Sequence, residues 1–498
     1  MRQIVVIIAC LLLGLTAMAQ SPQPYLVSDF NEDELETVLD LCRQGGFKEL
    51  LHRCPFSSYG HYEWNPSFAK KGNRSVARMV QKAAEAGVRL GILVNEDAVS
   101  LNDAFFAPRY YKQLRKTGPV QLFSDITAEQ RDLVIYHSEE LNQPSTLNLL
   151  LIGKELVSYG TMEPAGDMLF LHSCSRGLYG TKAEAHEKRE EAYKLWDAPE
   201  RYCAPDGVLL DSVRKCLAER IVASGSPFSM PSGGYGQSML NTSQRIQLVD
   251  RWTKEQALLD DGEPMMLGWF PILVSDKRQS STTLEDLEWL LSKAVAFNAG
   301  YGLVIDRIAL KRHGQLDKMM ALVKAWNRVR DENLLTPTQK EELGDPYTDW
   351  HLEPESEESF LLFPVRLSRG YRCIIAKAGP IEDTWLWKSE ETNEAALRVE
   401  IKGQGEIRQP MLITAMDTLR FPCVVKAGQY LLCDFDGIAR VTDADYRTLK
   451  EFAMDTALIL PEGESTVIFK CEVKGDKKLP EVSVRYLVRE QPIRIKQR

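Results

Sequence analysis

Val88-Arg89-Leu90-Gly91-Ile92-Leu93-Val94 is an apolar run of strand length that stops at Asn95-Glu96-Asp97. Ser75 to Ala86, just before it, carries apolar residues at helical spacing, and Phe47-Lys48-Glu49-Leu50-Leu51 upstream reads as another strand. Strand, long loop, helix, strand is the rhythm of a parallel α/β protein. Upstream again, Leu35, Val38, Leu39 and Cys42 form a helical stripe, with Asn31 and Glu34 spaced as a capping pair and Gly45-Gly46 as its end. Downstream, helices are expected over Leu209–Val222 and Gln244–Leu259, a strand over Met265–Phe270, and a helix started by Thr283 and Asp286. Leu287, Leu290, Leu291 and Ala294 make the stripe of that helix. The strand Tyr301–Ile305 then ends at Asp306, and a helix follows over Leu316–Arg330. Roughly six strands of this βα rhythm are recognisable.

Two regions break the rhythm. From Pro119 to Trp196 short strands alternate with turns, among them Leu149-Leu150-Leu151-Ile152-Gly153 and Met168-Leu169-Phe170-Leu171-His172. This reads as a β-rich insertion, 119–196, carried by one βα loop. Past Pro346, runs such as Leu361-Leu362-Phe363, Cys373-Ile374-Ile375, Val424-Val425 and Val467-Ile468-Phe469 lie between polar turns, the pattern of a C-terminal β-sandwich over 352–498. The expected fold is therefore α/β over 20–345, with the insertion and the sandwich attached.

The 498 residues are 44% apolar and 26% charged, ordinary for a globular protein, with a formal net charge of −9. Lys and Arg are dispersed, which argues against a nucleic-acid surface. Arg2, the apolar run Ile4–Leu15 and Ala17-Met18-Ala19 before Gln20 have the three parts of a secretory signal peptide over 1–19. The run is too short to span a membrane, so export to the periplasm or the exterior is expected. A lipoprotein reading through Cys10 would leave Leu11-Leu12-Leu13 at the mature end. Nine further cysteines without a CxxC pair are too sparse for a disulfide scaffold, and seven scattered histidines without HExxH give no expected metal site or cofactor.

Several stretches resemble those of secreted glycoside-hydrolase-like TIM barrels of gut-type Bacteroidetes, associated with polysaccharide use. They are Pro55-Phe56-Ser57-Ser58-Tyr59-Gly60-His61-Tyr62-Glu63-Trp64-Asn65, Met266-Leu267-Gly268-Trp269-Phe270 and Thr283–Leu291. The insertion is similar to theirs through Ile152–Gly160, Cys174–Thr181 and Ala185-His186. The resemblance covers roughly residues 30–350 and implies a TIM-barrel-like fold over 20–345, complete or trimmed since about six of the eight strands of such a barrel are recognisable, and a polysaccharide or oligosaccharide partner. Such barrels carry a Phe-Asp-Gly element whose Asp is the obvious acid. Here the corresponding place is Phe228-Ser229-Met230-Pro231-Ser232-Gly233-Gly234-Tyr235, without a carboxylate.

Glycosidic hydrolysis uses two carboxylates flanking the bond, and a barrel displays them at the C-terminal ends of its strands. Position selects Glu63, Glu96 and Asp306 as catalytic candidates, with Asp97 and Asp276 behind them. Tyr59, His61, Tyr62, Trp64, Trp269 and Tyr235 are the candidate saccharide contacts. Each carboxylate also reads as solvated surface, and each aromatic as core. Trp385 and Trp387, two apart on one face of a strand, read as core before they read as a sugar platform. No GxSxG elbow and no phosphate-binding glycine loop is present. Two functions remain open: a glycoside hydrolase, or a glycan-binding protein derived from one.

Overall fold

The computed structural model describes residues 23–106, 113–142, 147–195, 197–198, 202–231, 241–259, 265–475 and 479–496. The export signal read over 1–19, Cys10 and Tyr235 lie outside them.

Strands alternating with helices follow in the order β1 (Tyr25–Ser28), α1 (Leu35–Gly45), β2 (Glu49–His52), α2 (Asn73–Glu85), β3 (Arg89–Val94), α3 (Gly207–Ala223), β4 (Phe228–Pro231), α4 (Thr242–Leu258), β5 (Met266–Pro271), α5 (Leu284–Ala296) and β6 (Gly300–Val304). Three helices follow, α6 (Arg307–Arg312), α7 (Leu316–Asp331) and α8 (Pro337–Gly344). Periodicity did not reveal α6 and α8, which at one to two turns are too short to show it. The chain forms two compact units. One comprises β1, Glu36–Leu50 and the described residues from 241 onward; the other comprises Asp29–Leu35 and Leu51 through β4.

In the second unit β3 lies between β2 and β4, and β4 runs parallel to it with Phe228 opposite Gly91 and Pro231 opposite Val94. Gly91 is required there. A Cβ would come within 2.4 Å of the Phe228 ring and 2.5 Å of Leu51, so any side chain would push the ladder apart. Helix α2 buries Val76, Met79 and Ala83, and α3 buries Leu209, Val213 and Leu217. Between β3 and α3, besides a sheet of the two-residue strands Val99–Ser100, Asp197–Ala198 and Tyr202–Cys203, two larger antiparallel sheets form, one from Leu133–Tyr136, Thr161–Ala165 and Met168–His172, the other from Lys116–Gln121, Leu149–Ile152, Glu155–Ser158 and Glu191–Leu195. They share a core that includes Leu122, Ile135, Leu150, Val157 and Leu171. Glu155 is wholly buried there and accepts two bonds from Arg176 (both 2.7 Å), one from His186 (2.9 Å) and two from backbone N–H groups. Burial pushes its pKa up, but these donors outweigh it and the net shift is downward.

In the first unit β6 lies between β1 and β5, all parallel, with Tyr25 and Trp269 both opposite Gly302. Helix α5 starts on the expected capping box of Thr283 and Asp286 and is buried from Leu287 to Val295. After α8 come a ten-stranded and a five-stranded sheet. Val399, Leu431 and Val484 of the first and Ile407, Val467 and Phe469 of the second belong to one core cluster, as in a sandwich. Trp387 is buried in that cluster and Trp385 packs against it, donating to the Tyr486 hydroxyl at 3.1 Å, so both are core residues. Six parallel strands of this kind are described; a closed eight-stranded ring is not formed among the described residues. All nine described cysteines are free thiols.

Candidate functional site

The loop after β2 folds back on itself. Phe56 and Trp64 form an antiparallel bridge, the Ser57 N–H donates to Glu63 O at 2.8 Å, and the Asn65 N–H to Pro55 O at 2.9 Å. Its aromatics pack on one another: Phe56 stacks on Trp64 at 4.9 Å and meets Tyr62 edge-on at 5.1 Å. Trp64 is buried and donates its indole N–H to Asn73 at 2.6 Å. Tyr62 is fully buried in a left-handed backbone conformation, φ 52°, and its hydroxyl reaches Asn95 O (2.9 Å) and Glu96 O (3.2 Å). Burial pushes the Tyr62 hydroxyl pKa up, with Glu96 adding to the effect. Tyr62 and Trp64 thus serve as the loop's own core and tie it to the segment after β3. Tyr59 is half-buried with its ring edge toward Phe56 and Tyr62.

A residue that the sequence did not single out organises this surface. The Asp103 carboxylate, 2% exposed, accepts from Ser58 Oγ (3.2 Å), His61 N (2.9 Å), His61 Nδ1 (2.7 Å) and Phe105 N (2.9 Å). Ser100 adds a second clip, accepting from Tyr59 N at 2.7 Å through Oγ and donating its own N–H to Tyr59 O at 3.0 Å. Gly60, at φ 118°, permits the approach, since a Cβ there would sit 2.6 Å from Asp103 Oδ1. The His61 ring stacks on Phe105 at 4.0 Å and is 39% exposed. Because a carboxylate accepts, His61 Nδ1 donates to Asp103, which fixes the ring and turns Nε2 outward. Arg220 of α3 donates to His61 O (3.2 Å) and to Glu63 Oε1 (2.9 Å). Beside them Glu96 is exposed, and Asp97 pairs with Arg214 at 2.9 Å. His61, Glu63 and Arg220 therefore present polar groups from a rigidly held backbone, a set suited to the hydroxyls of a polyhydroxylated ligand.

The other candidates lie in the first unit. Trp269 stands in the middle of β5, not at its end, half-buried over Gly302, and donates its indole N–H to the Tyr25 hydroxyl at 2.8 Å. Asp306 caps α6, accepting from Ile308 N (3.0 Å) and Ala309 N (2.7 Å). Asp276 accepts from the N–H groups of Arg278 and Gln279 within its own turn. The segments that follow β5 and β6 are pinned by a residue of the C-terminal sheets, Asp445. It accepts from Ser275 N and Oγ (both 2.7 Å), Ser281 Oγ (2.8 Å) and two Arg312 nitrogens (2.9 and 2.6 Å). Among the described residues no group of three His, Cys, Asp or Glu is arranged to hold a metal ion.

Asp103, Arg220 and Asp445 escaped the sequence reading because each lies far along the chain from the groups it binds. The one local signal was Gly60 among bulky neighbours, which marks a close approach but not the residue approached.

No family model matches the chain, and no curated protein does. Among solved structures it is 12% identical to the GH36 α-galactosidase AgaA of Geobacillus stearothermophilus in complex with stachyose, over 91% of this chain and 56% of that one, with a TM-score of 0.30. It is 8% identical to an α-amylase of Geobacillus thermoleovorans complexed with acarbose, over 92% of this chain and 99% of that one, at 0.31. It is 9% identical to MutB in complex with isomaltulose, over 91% and 99%, at 0.35. The chain thus spans about 56% of the length of the α-galactosidase. Scores this low carry no argument, and the fold stands on the chain's own strands and helices.

Proposed function

We propose that this chain is an exported carbohydrate-binding protein on a glycoside-hydrolase-like βα scaffold, which holds a saccharide at His61, Glu63 and Arg220, with Tyr59 and Glu96 at its margin. The observation that carries this reading is the Asp103 hub, which fixes the His61 imidazole through Nδ1 and leaves Nε2 unbonded among the described residues, beside the Glu63–Arg220 pair. Sugar hydroxyls are recognised by fixed planar donors and acceptors of this kind, and prior fixing reduces the entropy lost on binding. The export signal and the resemblance to secreted polysaccharide-utilising barrels support the same reading. Binding is favoured over cleavage because Asp306 is committed to a helix cap and Glu63 to Arg220, whereas hydrolysis needs two carboxylates at the bond.

One observation favours a hydrolytic alternative: Glu63 and Glu96 stand on neighbouring segments that the Tyr62 hydroxyl links. A glycan array on the full chain, with product analysis on every glycan retained, separates the two. Retention that His61→Ala abolishes, without new reducing ends, supports binding; new reducing ends that Glu63→Gln removes support hydrolysis.

A further inference from the structure

A cavity of about 380 Å³ in the first unit lies between the start of α5 and the strands Asn393–Gly403, Tyr430–Cys433 and Pro480–Arg489 of the ten-stranded sheet. That volume is within the range of small-ligand sites. The carboxylates on its wall are all engaged: Glu285 with Arg398 (2.8 Å), Asp286 and Asp349 with Arg245 (3.3 and 2.9 Å), and Glu400 with Lys402 (3.0 Å). One wall cation is not. Arg485 sits directly opposite Arg398 in the sheet and has no ionic partner among the described residues. Like charges so placed repel unless neutralised. Arg398 is neutralised by Glu285 and by Asp434 at 2.8 Å, and Arg485 is left with an unmatched charge at the cavity.

The second feature is Tyr446, which also lines the cavity. Its backbone is left-handed, φ 62°, a conformation unfavourable for a bulky residue and held only where surroundings enforce it. Here the Asp443–Arg447 turn enforces it, through Tyr446 N to Asp443 O (3.1 Å) and Arg447 N to Asp443 Oδ1 (2.9 Å). The ring stacks on Tyr430 at 5.4 Å, and the hydroxyl has no hydrogen-bond partner among the described residues. Tyr430, by contrast, uses its hydroxyl on Glu400 at 3.2 Å. The unspent groups on this wall include a guanidinium and a phenol, and the occupant these two match is an oxyanion beside a hydroxyl.

We propose that this cavity binds an acidic sugar residue, its carboxylate or sulfate on Arg485 and a ring hydroxyl on Tyr446. The saccharide part of the assignment rests on the carbohydrate reading above; the anionic part rests on Arg485. A guanidinium takes either oxyanion through two parallel N–H donors, so both sources enter the test. Calorimetric titration of the full chain with an oligogalacturonate, a sulfated galactan oligosaccharide and a neutral galacto-oligosaccharide is expected to show affinity for at least one acidic ligand. The acidic ligand that binds names the oxyanion. The neutral ligand should bind at least roughly tenfold more weakly, and Arg485→Gln should weaken the acidic ligand by roughly ten- to a hundredfold. Arg485 is exposed, so the variant is expected to fold; Arg485→Glu, with reversed charge, should abolish binding, and Tyr446→Phe should weaken it less than Arg485→Gln. Equal binding of acidic and neutral ligands, no binding of either acidic ligand, or acidic binding unchanged in Arg485→Gln would overturn the proposal. Arg485-dependent acidic binding with no glycan held through His61 would sustain it while removing the assignment at His61.

Discussion

Replacing Asp103 by Asn tests whether the candidate surface is held as the structure implies. The carboxylate accepts four hydrogen bonds, two on each oxygen: Phe105 N and His61 Nδ1 on Oδ1, Ser58 Oγ and His61 N on Oδ2. An amide keeps one acceptor and turns the other into a donor. With the NH2 at the Oδ2 position, the Ser58 hydroxyl can rotate and accept, and only the His61 N–H is orphaned. In the opposite orientation the His61 ring can change tautomer and accept at Nδ1, and only the Phe105 N–H is orphaned, so either way one backbone donor is left without an acceptor. One buried donor without an acceptor costs about 1–3 kcal/mol, and losing the charge weakens the bonds that remain. Asp103→Asn should therefore ease opening of the loop by about 2 kcal/mol, whereas Asp103→Ala, which removes all four acceptor contacts, should cost more. Native-state hydrogen exchange reads this directly, because the His61 and Phe105 amides are themselves bonded to Asp103. Their exchange should accelerate by roughly thirtyfold in Asp103→Asn, at about tenfold per 1.4 kcal/mol, with amides of the Glu155 sheets unchanged. Unaltered protection of His61 and Phe105 would refute the hub, and an equal rise across the unit would show a global rather than local role.

Three further outcomes follow from the first unit. Burial raises the Asp445 pKa, but bonds from Ser275, Ser281 and Arg312 outweigh it and hold the carboxyl at about 2. The resulting stability, about 2 kcal/mol, is present above the unfolded value near 4 and is lost as pH falls through about 2; urea midpoints of wild type and Asp445→Asn should differ at pH 7 and converge near pH 2. Burial lowers the His351 pKa, but Glu288 at 2.8 Å and Glu353 at 3.2 Å outweigh it and raise it to about 10. Its contribution is complete below the unfolded value near 6.5 and fades as pH climbs through 10, so the wild-type melting temperature should fall over that interval while that of His351→Gln, about 3 kcal/mol less stable at pH 6, stays flat. Gly314→Ala would bring a Cβ to 2.4 Å from the Arg447 backbone. It should cost about 1–3 kcal/mol in a thermal melt, and wild-type stability would remove the claim that the Asp443–Arg447 turn is docked there.

The regular elements were legible in the sequence because burial of one face imposes a period, as in the helices at Val76 and Leu287 and the strand at Leu90. Short α6 and α8 were not, for want of enough residues to repeat. At the site, composition located the segment but could not say which groups face out. The aromatic content of Tyr59–Trp64 suggested sugar stacking, yet Trp64 spends its indole N–H on Asn73 and Tyr62 its hydroxyl on the chain after β3. Asp306 shows a related ambiguity, since an Asp between a strand and a helix is the signature both of an N-cap and of a strand-end catalytic acid. Only three-dimensional neighbours separate such readings, and those of His61 are Asp103, 42 positions away, and Arg220, 159 positions away.

The most direct test of the central claim is the glycan array on the full chain, followed by analysis of reducing ends on each retained polysaccharide. Retention that disappears in His61→Ala and generates no new reducing ends is the predicted result. Failure to retain any glycan, or steady release of new ends, would contradict it.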